Sequence, residues 1–183
     1  MAQTLNPRRL DVARFARQDA QLGGQTALRD FARVAQDCHA DIAADNVVEW
    51  LAHGEFRAAP DGSGHPALHL RARAQMPMVC QRCLEPMLMA VAVDRHFVFL
   101  SGEAQATALD DASEDDLLAL VRDFDLLALI EDELMLAMPL VPRHAACPGA
   151  PRVAAQDDAA FEAAMRQRRN PFAALESLKK RTV

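Results

Sequence analysis

Four side chains with the types and spacing of metal ligands lie in two short motifs. Cys80 and Cys83 form a Cys-x2-Cys pair, and His144 and Cys147 form a His-x2-Cys pair. Two thiolates two residues apart can both reach one tetrahedral ion while the backbone between them turns back on itself. A Cys3His set is an established structural ligand combination for zinc. The two motifs therefore predict a structural zinc site that ties the second motif to the first.

Two other interpretations of the same residues are open. Because 60 residues separate the pairs, the cysteines can instead be small turn residues and His144 an ordinary surface side chain. The other interpretation is a zinc-dependent hydrolase or deaminase-like enzyme that uses Cys80, Cys83, His53 and Glu55. His-x-Glu followed by Cys-x-x-Cys is typical of zinc deaminases, in which the glutamate moves protons and the metal activates water. The strand pattern around His53 argues against this alternative, because in that signature the motifs open helices.

Alternation of apolar and polar residues predicts strands on both sides of the first cysteine pair. Residues 47–56, 68–78 and 87–99 each show the two-residue period of a half-buried strand. Asp61-Gly-Ser-Gly64 supplies a turn after the first strand. The second hairpin is expected to turn at Cys80 and Cys83, as a zinc-knuckle hairpin. We therefore expect an antiparallel β-meander.

One amphipathic helix is predicted over residues 125–138, with Asp123 or Asp125 as its N-cap. Its apolar residues recur every three or four positions, so one face can cover the apolar side of the sheet. Three consecutive acidic residues are expected to point away from that face into solvent: Glu131, Asp132 and Glu133. A second helix is predicted over Thr26–Cys38. The predicted fold class is α+β, an antiparallel β-meander covered by one amphipathic helix.

The charge is unevenly spread along this chain of 183 residues with net charge −6. Residues 101–138 hold eleven acidic residues and one basic residue, whereas residues 152–183 hold seven basic and four acidic residues. Such runs indicate solvated faces or surfaces for different partners. We expect one α+β domain over residues 1–151 with a mobile acidic loop at about 101–116, followed by a basic, flexible and partly disordered C-terminal tail over 152–183.

The composition narrows the function classes. With 51% hydrophobic residues and no apolar run near 18 residues, a soluble, cytoplasmic protein without a membrane partner is expected. Seven glycines leave little material for a phosphate-binding loop. The predicted sheet and hairpin carry four arginines, at positions 71, 73, 82 and 95. Either they form a basic surface together, or they are ordinary, unrelated surface residues.

The motifs, taken in order, resemble the YceD family of large ribosomal RNA subunit accumulation proteins. The resemblance rests on four segments: CQRCLEP at 80–86, DLLALIEDEL at 125–134, LVPRHAAC at 140–147 and NPFAALESLKK at 170–180. It implies a non-catalytic role in the accumulation or processing of large-subunit ribosomal RNA. The implied partners are that RNA or a ribosomal or assembly protein, with no small-molecule substrate.

A short basic arm in the tail is the candidate RNA- or partner-binding segment. Basic side chains can neutralise phosphates without reading sequence. The residues assigned to this arm are Arg166, Arg168, Arg169, Asn170, Pro171, Phe172, Lys179 and Lys180.

Overall fold

The computed structural model describes residues 5–39, 45–58, 64–102 and 116–149, together with Ala159, Phe161, Ala163 and Ala164. The chain divides into two units, residues 1–149 and residues 150–183. In the second unit the four described residues are helical. Most of the acidic loop and nearly all of the tail lie outside the described residues, so both stay predictions, as does the domain boundary at 151.

The described part of the first unit is an α+β fold with a five-stranded mixed sheet. The strands are β1 Gln21–Ala27, β2 Val47–Ala58, β3 Gly64–Val79, β4 Pro86–Leu100 and β5 Asp116–Ala119. The helices are α1 Val12–Arg17, α2 Ala32–Asp37 and α3 Leu126–Ala137, and a 3₁₀ turn at Leu28–Asp30 precedes α2. Within the described ranges, no helix is long and apolar enough to span a membrane.

The strands are arranged in chain order, β1-β2-β3-β4-β5. The first four pair as an antiparallel meander, but β5 runs parallel to β4. The prediction of a wholly antiparallel sheet is therefore wrong at this edge. A parallel neighbour requires the chain to cross back along the sheet before it pairs, and residues 101–115 separate these two strands.

The three predicted strands correspond to β2, β3 and β4, and their alternation marks the two faces of the sheet. Along β3, Leu68, Leu70 and Met76 are buried, whereas Arg71 and Arg73 on the opposite face are exposed. The buried face packs against α1 and α3. Three helices therefore accompany the sheet among the described residues, where the sequence predicted one main covering helix.

The helix predicted over Thr26–Cys38 is shorter than expected. Thr26 belongs to β1 and is paired with Val48, and its hydroxyl accepts a hydrogen bond from Trp50 Nε1 at 3.0 Å. The helix itself covers Ala32–Asp37. Pairing with β2 satisfies the backbone hydrogen bonds of Thr26 and Ala27. The apolar spacing alone had assigned these residues to the helix.

Helix α3 has the predicted cap but not the predicted solvent face. Asp125 caps it by accepting a hydrogen bond from the Ala128 N–H at 3.0 Å. Glu131 is half-buried and accepts hydrogen bonds from the backbone N–H and guanidinium of Arg33 at 2.7 and 3.0 Å. Glu133 is only 7% exposed. The expectation that all three acidic residues point into solvent is therefore wrong, because α2 and β4 pack against this helix.

Gly54 allows α1 to approach β2 closely. A Cβ atom at this position would lie 2.6 Å from Phe15 Cδ1 and 2.9 Å from the Ala16 backbone nitrogen. We expect Gly54→Ala to destabilise the fold by about 2–3 kcal/mol, because helix backbone must move to admit the methyl group. Thermal unfolding measures this loss. Gly149→Ala is the control: nothing lies within 4 Å of its Cβ position, and a normal melting temperature is expected.

The burial of Glu133 makes stability depend on pH. Burial raises the pKa of this carboxyl, the nearby Arg95 lowers it, and Asp116 and Asp132 raise it further. The carboxyl of Glu133 thus binds its proton more tightly in the folded chain than in the unfolded chain. The stability that this protonation contributes is fully present below about pH 4.5 and is lost as the pH rises through the folded-state pKa of Glu133. We expect Glu133→Gln to raise the melting temperature at pH 7 by a few degrees, a gain that shrinks towards pH 4. An equal gain at both pH values would contradict this assignment, and the exposed Glu85→Gln should show no gain.

Candidate metal centre

The first cysteine pair lies in the turn that joins β3 to β4. The Leu84 N–H donates to the Cys80 carbonyl at 2.8 Å, and the Cys80 N–H donates to the Glu85 carbonyl at 3.0 Å. Leu84 has φ of +62°, the left-handed conformation that lets the backbone reverse within a short turn. Cys80 and Cys83 consequently stand on the same side of the hairpin tip, as predicted for a knuckle.

The second pair lies in the loop that follows α3, and hydrogen bonds from the backbone and from one side chain hold this loop against the hairpin tip. The Gln81 N–H donates to the carbonyl of the buried Pro142 at 2.8 Å. The Arg82 guanidinium donates to the His144 carbonyl at 3.1 Å and to Cys147 Sγ at 3.0 Å. These contacts bring together two motifs that are far apart in sequence.

The four ligand atoms lie within 4.8 Å of one another, a geometry able to hold a metal ion. Cys80 Sγ is 3.9 Å from Cys147 Sγ, and Cys83 Sγ is 3.4 Å from His144 Nδ1. A zinc ion with Zn–S bonds of about 2.3 Å places its tetrahedral ligand atoms about 3.8 Å apart. The set therefore matches the size of a tetrahedral zinc site, and four protein ligands leave no open position on such an ion.

The surroundings of the cluster favour the thiolate form of Cys80. Burial raises the pKa of Cys80, but hydrogen bonds from the backbone of His144, Cys83 and Arg82 outweigh it and hold this pKa at about 5. The Glu85 backbone lowers the pKa of Cys83, yet burial and the neighbouring thiols leave it raised. With zinc bound, three thiolates and a neutral histidine carry a net charge of −1, which the adjacent Arg82 offsets.

The residues of the deaminase-like alternative are not brought together. His53 pairs with His69 across β2 and β3, and His69 precedes Cys80 by eleven residues of nearly continuous strand, or about 36 Å. Glu55 Oε1 lies 3.2 Å from His96 Nδ1. A proton shuttle at Glu55 therefore cannot serve an ion held at the hairpin tip.

The sequence analysis missed two side-chain contacts, one on the sheet and one at the cluster. His69 and His96 are stacked, with ring centroids 4.0 Å apart, on the face of the sheet opposite the helices. Both histidines occupy polar positions that lie opposite each other on β3 and β4. This pairing can be recognised only once the strand register is known. The contact of Arg82 with Cys147 had no signal in the spacing, because it depends on where the α3 loop returns.

The arginines of the sheet and hairpin do not combine into one basic surface. Arg73 pairs with Glu49, and Arg95 pairs with Asp116 at 2.6 Å on the helix-covered side of β4. Arg82 contacts the cysteine cluster. The basic-arm residues, from Arg166 to Lys180, all lie outside the described part of the chain, so their role stays a prediction.

Part of the chain matches the model of a known protein family. Residues 68–179, more than half of the chain, match the family model described as large ribosomal RNA subunit accumulation protein YceD. The matched segment includes all four residues of the cluster. No curated protein and no solved structure shows a significant match.

Proposed function

Because this chain belongs to the YceD family of large ribosomal RNA subunit accumulation proteins, we propose that it promotes accumulation or processing of large-subunit ribosomal RNA by binding, without catalysing a reaction. The observation that carries this proposal is the family match, which runs from β3 through the cluster into the tail. The partner is that RNA itself or a ribosomal or assembly protein. We propose that the protein acts in the cytoplasm.

The role that we propose for the cluster is structural zinc binding. A closed Cys3His site has no vacant position for a substrate or an activated water, so its contribution is folding energy. Here it would fasten the loop after α3 to the β3–β4 hairpin. Cys80, Cys83, His144 and Cys147 would thus fix the shape of the surface at this end of the sheet.

Two features support binding to macromolecules. Next to the cluster, three large apolar side chains are exposed: Leu84 is 73%, Leu140 100% and Val141 52% accessible. Exposed apolar side chains near one another are typical of protein contact sites. The basic arm in the sequence, centred on Arg166–Arg169, has the charge needed to contact phosphates. We therefore propose the cluster end as the contact surface if the direct partner is a protein, and the arm as the contact if it is RNA.

The enzyme alternative is tested by substitution of its proton shuttle. Glu55→Gln removes the carboxylate that a deaminase-like reaction requires, and it leaves the cluster ligands intact. Under the binding proposal, cells that depend on the variant keep normal levels of large-subunit ribosomal RNA. Loss of that RNA with a normally folded Glu55→Gln protein would favour the enzyme instead.

The partner is identified by affinity capture of the tagged full chain from lysate, with and without nuclease. Ribosomal RNA of the large subunit, or a ribosomal protein, is expected in the captured material. Loss of all partners after nuclease treatment would indicate RNA as the direct contact, and retention of a ribosomal protein would indicate a protein contact. Capture of neither would overturn the proposed function.

A further inference from the structure

The three thiols of the cluster differ in solvent accessibility, and two of them lie on different elements close to each other. Cys80 is fully buried, whereas Cys83 and Cys147 are half-buried. Cys147 Sγ lies 3.9 Å from Cys80 Sγ. A disulfide has an S–S length of about 2.05 Å, so the two sulfurs need to approach by roughly 1.9 Å once no ion stands between them. Cys147 is therefore both reachable from solvent and next to a second thiol.

The pairing of these two thiols would preserve a connection that the metal makes. Cys80 belongs to the β3–β4 hairpin and Cys147 to the loop after α3, 67 residues apart. A bond between Cys80 and Cys83, in contrast, would lie within one turn and leave the loop untied. Only a bond to Cys147 reproduces the cross-link between the two elements.

The loop does not depend on the ion alone to stay near the hairpin. The Gln81 N–H holds the Pro142 carbonyl at 2.8 Å, and Arg82 contacts both the His144 carbonyl and Cys147 Sγ. These contacts keep Cys147 beside Cys80 when a metal ion leaves. They supply the proximity that a disulfide between distant residues needs.

We propose that Cys147 is a site of oxidation by peroxide, and that Cys80 then resolves it to a Cys80–Cys147 disulfide that replaces the metal as the cross-link. The inference rests on the proposed structural zinc. The Cys147 thiolate attacks one peroxide oxygen, which breaks the O–O bond, gives a sulfenic acid and releases hydroxide. The Cys80 thiolate attacks the sulfenic sulfur and releases a second hydroxide, and two protons from solvent convert both hydroxides to water. The two electrons lost by the thiolates reduce the peroxide, and the metal leaves as Zn²⁺.

The test uses the purified full chain loaded with zinc and treated with hydrogen peroxide. We expect release of one zinc per chain, measured with a chromogenic chelator, and a Cys80–Cys147 peptide as the main cross-linked product by mass spectrometry without reduction. A thiol reductant should restore the reduced chain and its zinc binding. Retained zinc, a main product that joins Cys83 to either of the other two cysteines, or direct formation of sulfinic acid at Cys147 would overturn the proposal.

Two variants and one stability measurement separate this proposal from the zinc assignment. Cys83→Ser should still form the Cys80–Cys147 bond under peroxide, whereas Cys147→Ser should not form it. The oxidised wild-type chain should melt at a higher temperature than the reduced chain stripped with a chelator, because it keeps its cross-link. If the chain binds no zinc but still forms this disulfide, the zinc assignment and the replacement of the metal both fail, and only the oxidation site stands. If the chain binds zinc and forms no Cys80–Cys147 disulfide, the zinc assignment stands and the oxidation proposal fails.

Discussion

Replacing Cys80 by serine is expected to abolish stoichiometric zinc binding and to lower the melting temperature by about 10 °C. Cys80 is buried at the centre of the cluster, and its sulfur accepts a hydrogen bond from the His144 N–H at 3.4 Å. Loss of a structural ion removes its binding free energy from the folded state. A loss of about 4 kcal/mol corresponds to this shift for a chain of this size. Zinc analysis after purification without chelator and thermal unfolding measure the two effects.

Cys38 provides the matched control for this substitution. It is half-buried beside the hydrophobic core and takes no part in the cluster. Cys38→Ser should retain one zinc per chain and lose about 1 kcal/mol of stability through the polar group that it buries. Full zinc content in Cys80→Ser, or a wild-type chain without zinc, would contradict the metal assignment.

Neutralising three arginines of the basic arm is expected to weaken association with large-subunit ribosomal particles by about 10- to 100-fold at physiological salt. In the triple variant R166Q/R168Q/R169Q, up to three phosphate contacts are lost, and each such contact also steepens the salt dependence of binding. The slope of log affinity against log salt should therefore fall by about three. Sedimentation with isolated particles at several salt concentrations measures both quantities.

A second triple variant controls for the change in net charge. Arg29, Arg71 and Arg122 are exposed and lie in the described part of the first unit, so R29Q/R71Q/R122Q removes the same charge elsewhere. It should associate nearly as well as wild type. Both triple variants, and a deletion of residues 166–183, should melt close to the wild-type temperature. Equal weakening in the two triple variants would show that net charge matters and the arm does not.

The sequence predicted those parts of the fold whose pattern is long and local. β3 spans 16 residues, so its alternation is repeated often enough to identify both faces and the turn that follows. By contrast, β5 has four residues and α1 has six, too few for a period to emerge. Their positions are decided by contacts with β4 and with Gly54 that only the folded chain reveals.

The candidate site was predictable to the extent that ligand chemistry restricts spacing. Two thiolates on one ion require a short separation in sequence, so Cys80 and Cys83 could be recognised as metal ligands. Their partners His144 and Cys147 have the same spacing. The role of Arg82 could not be predicted, because its contact with Cys147 depends on the path of a loop 65 residues away. Likewise, Glu133 occupies a helix position that looks solvated in the sequence, and only the packing of α3 in the folded chain shows that it is buried.

The central claim is that this chain supports the accumulation of large-subunit ribosomal RNA by binding. The ratio of large- to small-subunit ribosomal RNA in cells depleted of the protein tests it most directly. The ratio should fall on depletion, and it should recover with wild type and with Glu55→Gln but not with R166Q/R168Q/R169Q. An unchanged ratio in depleted cells would contradict the claim.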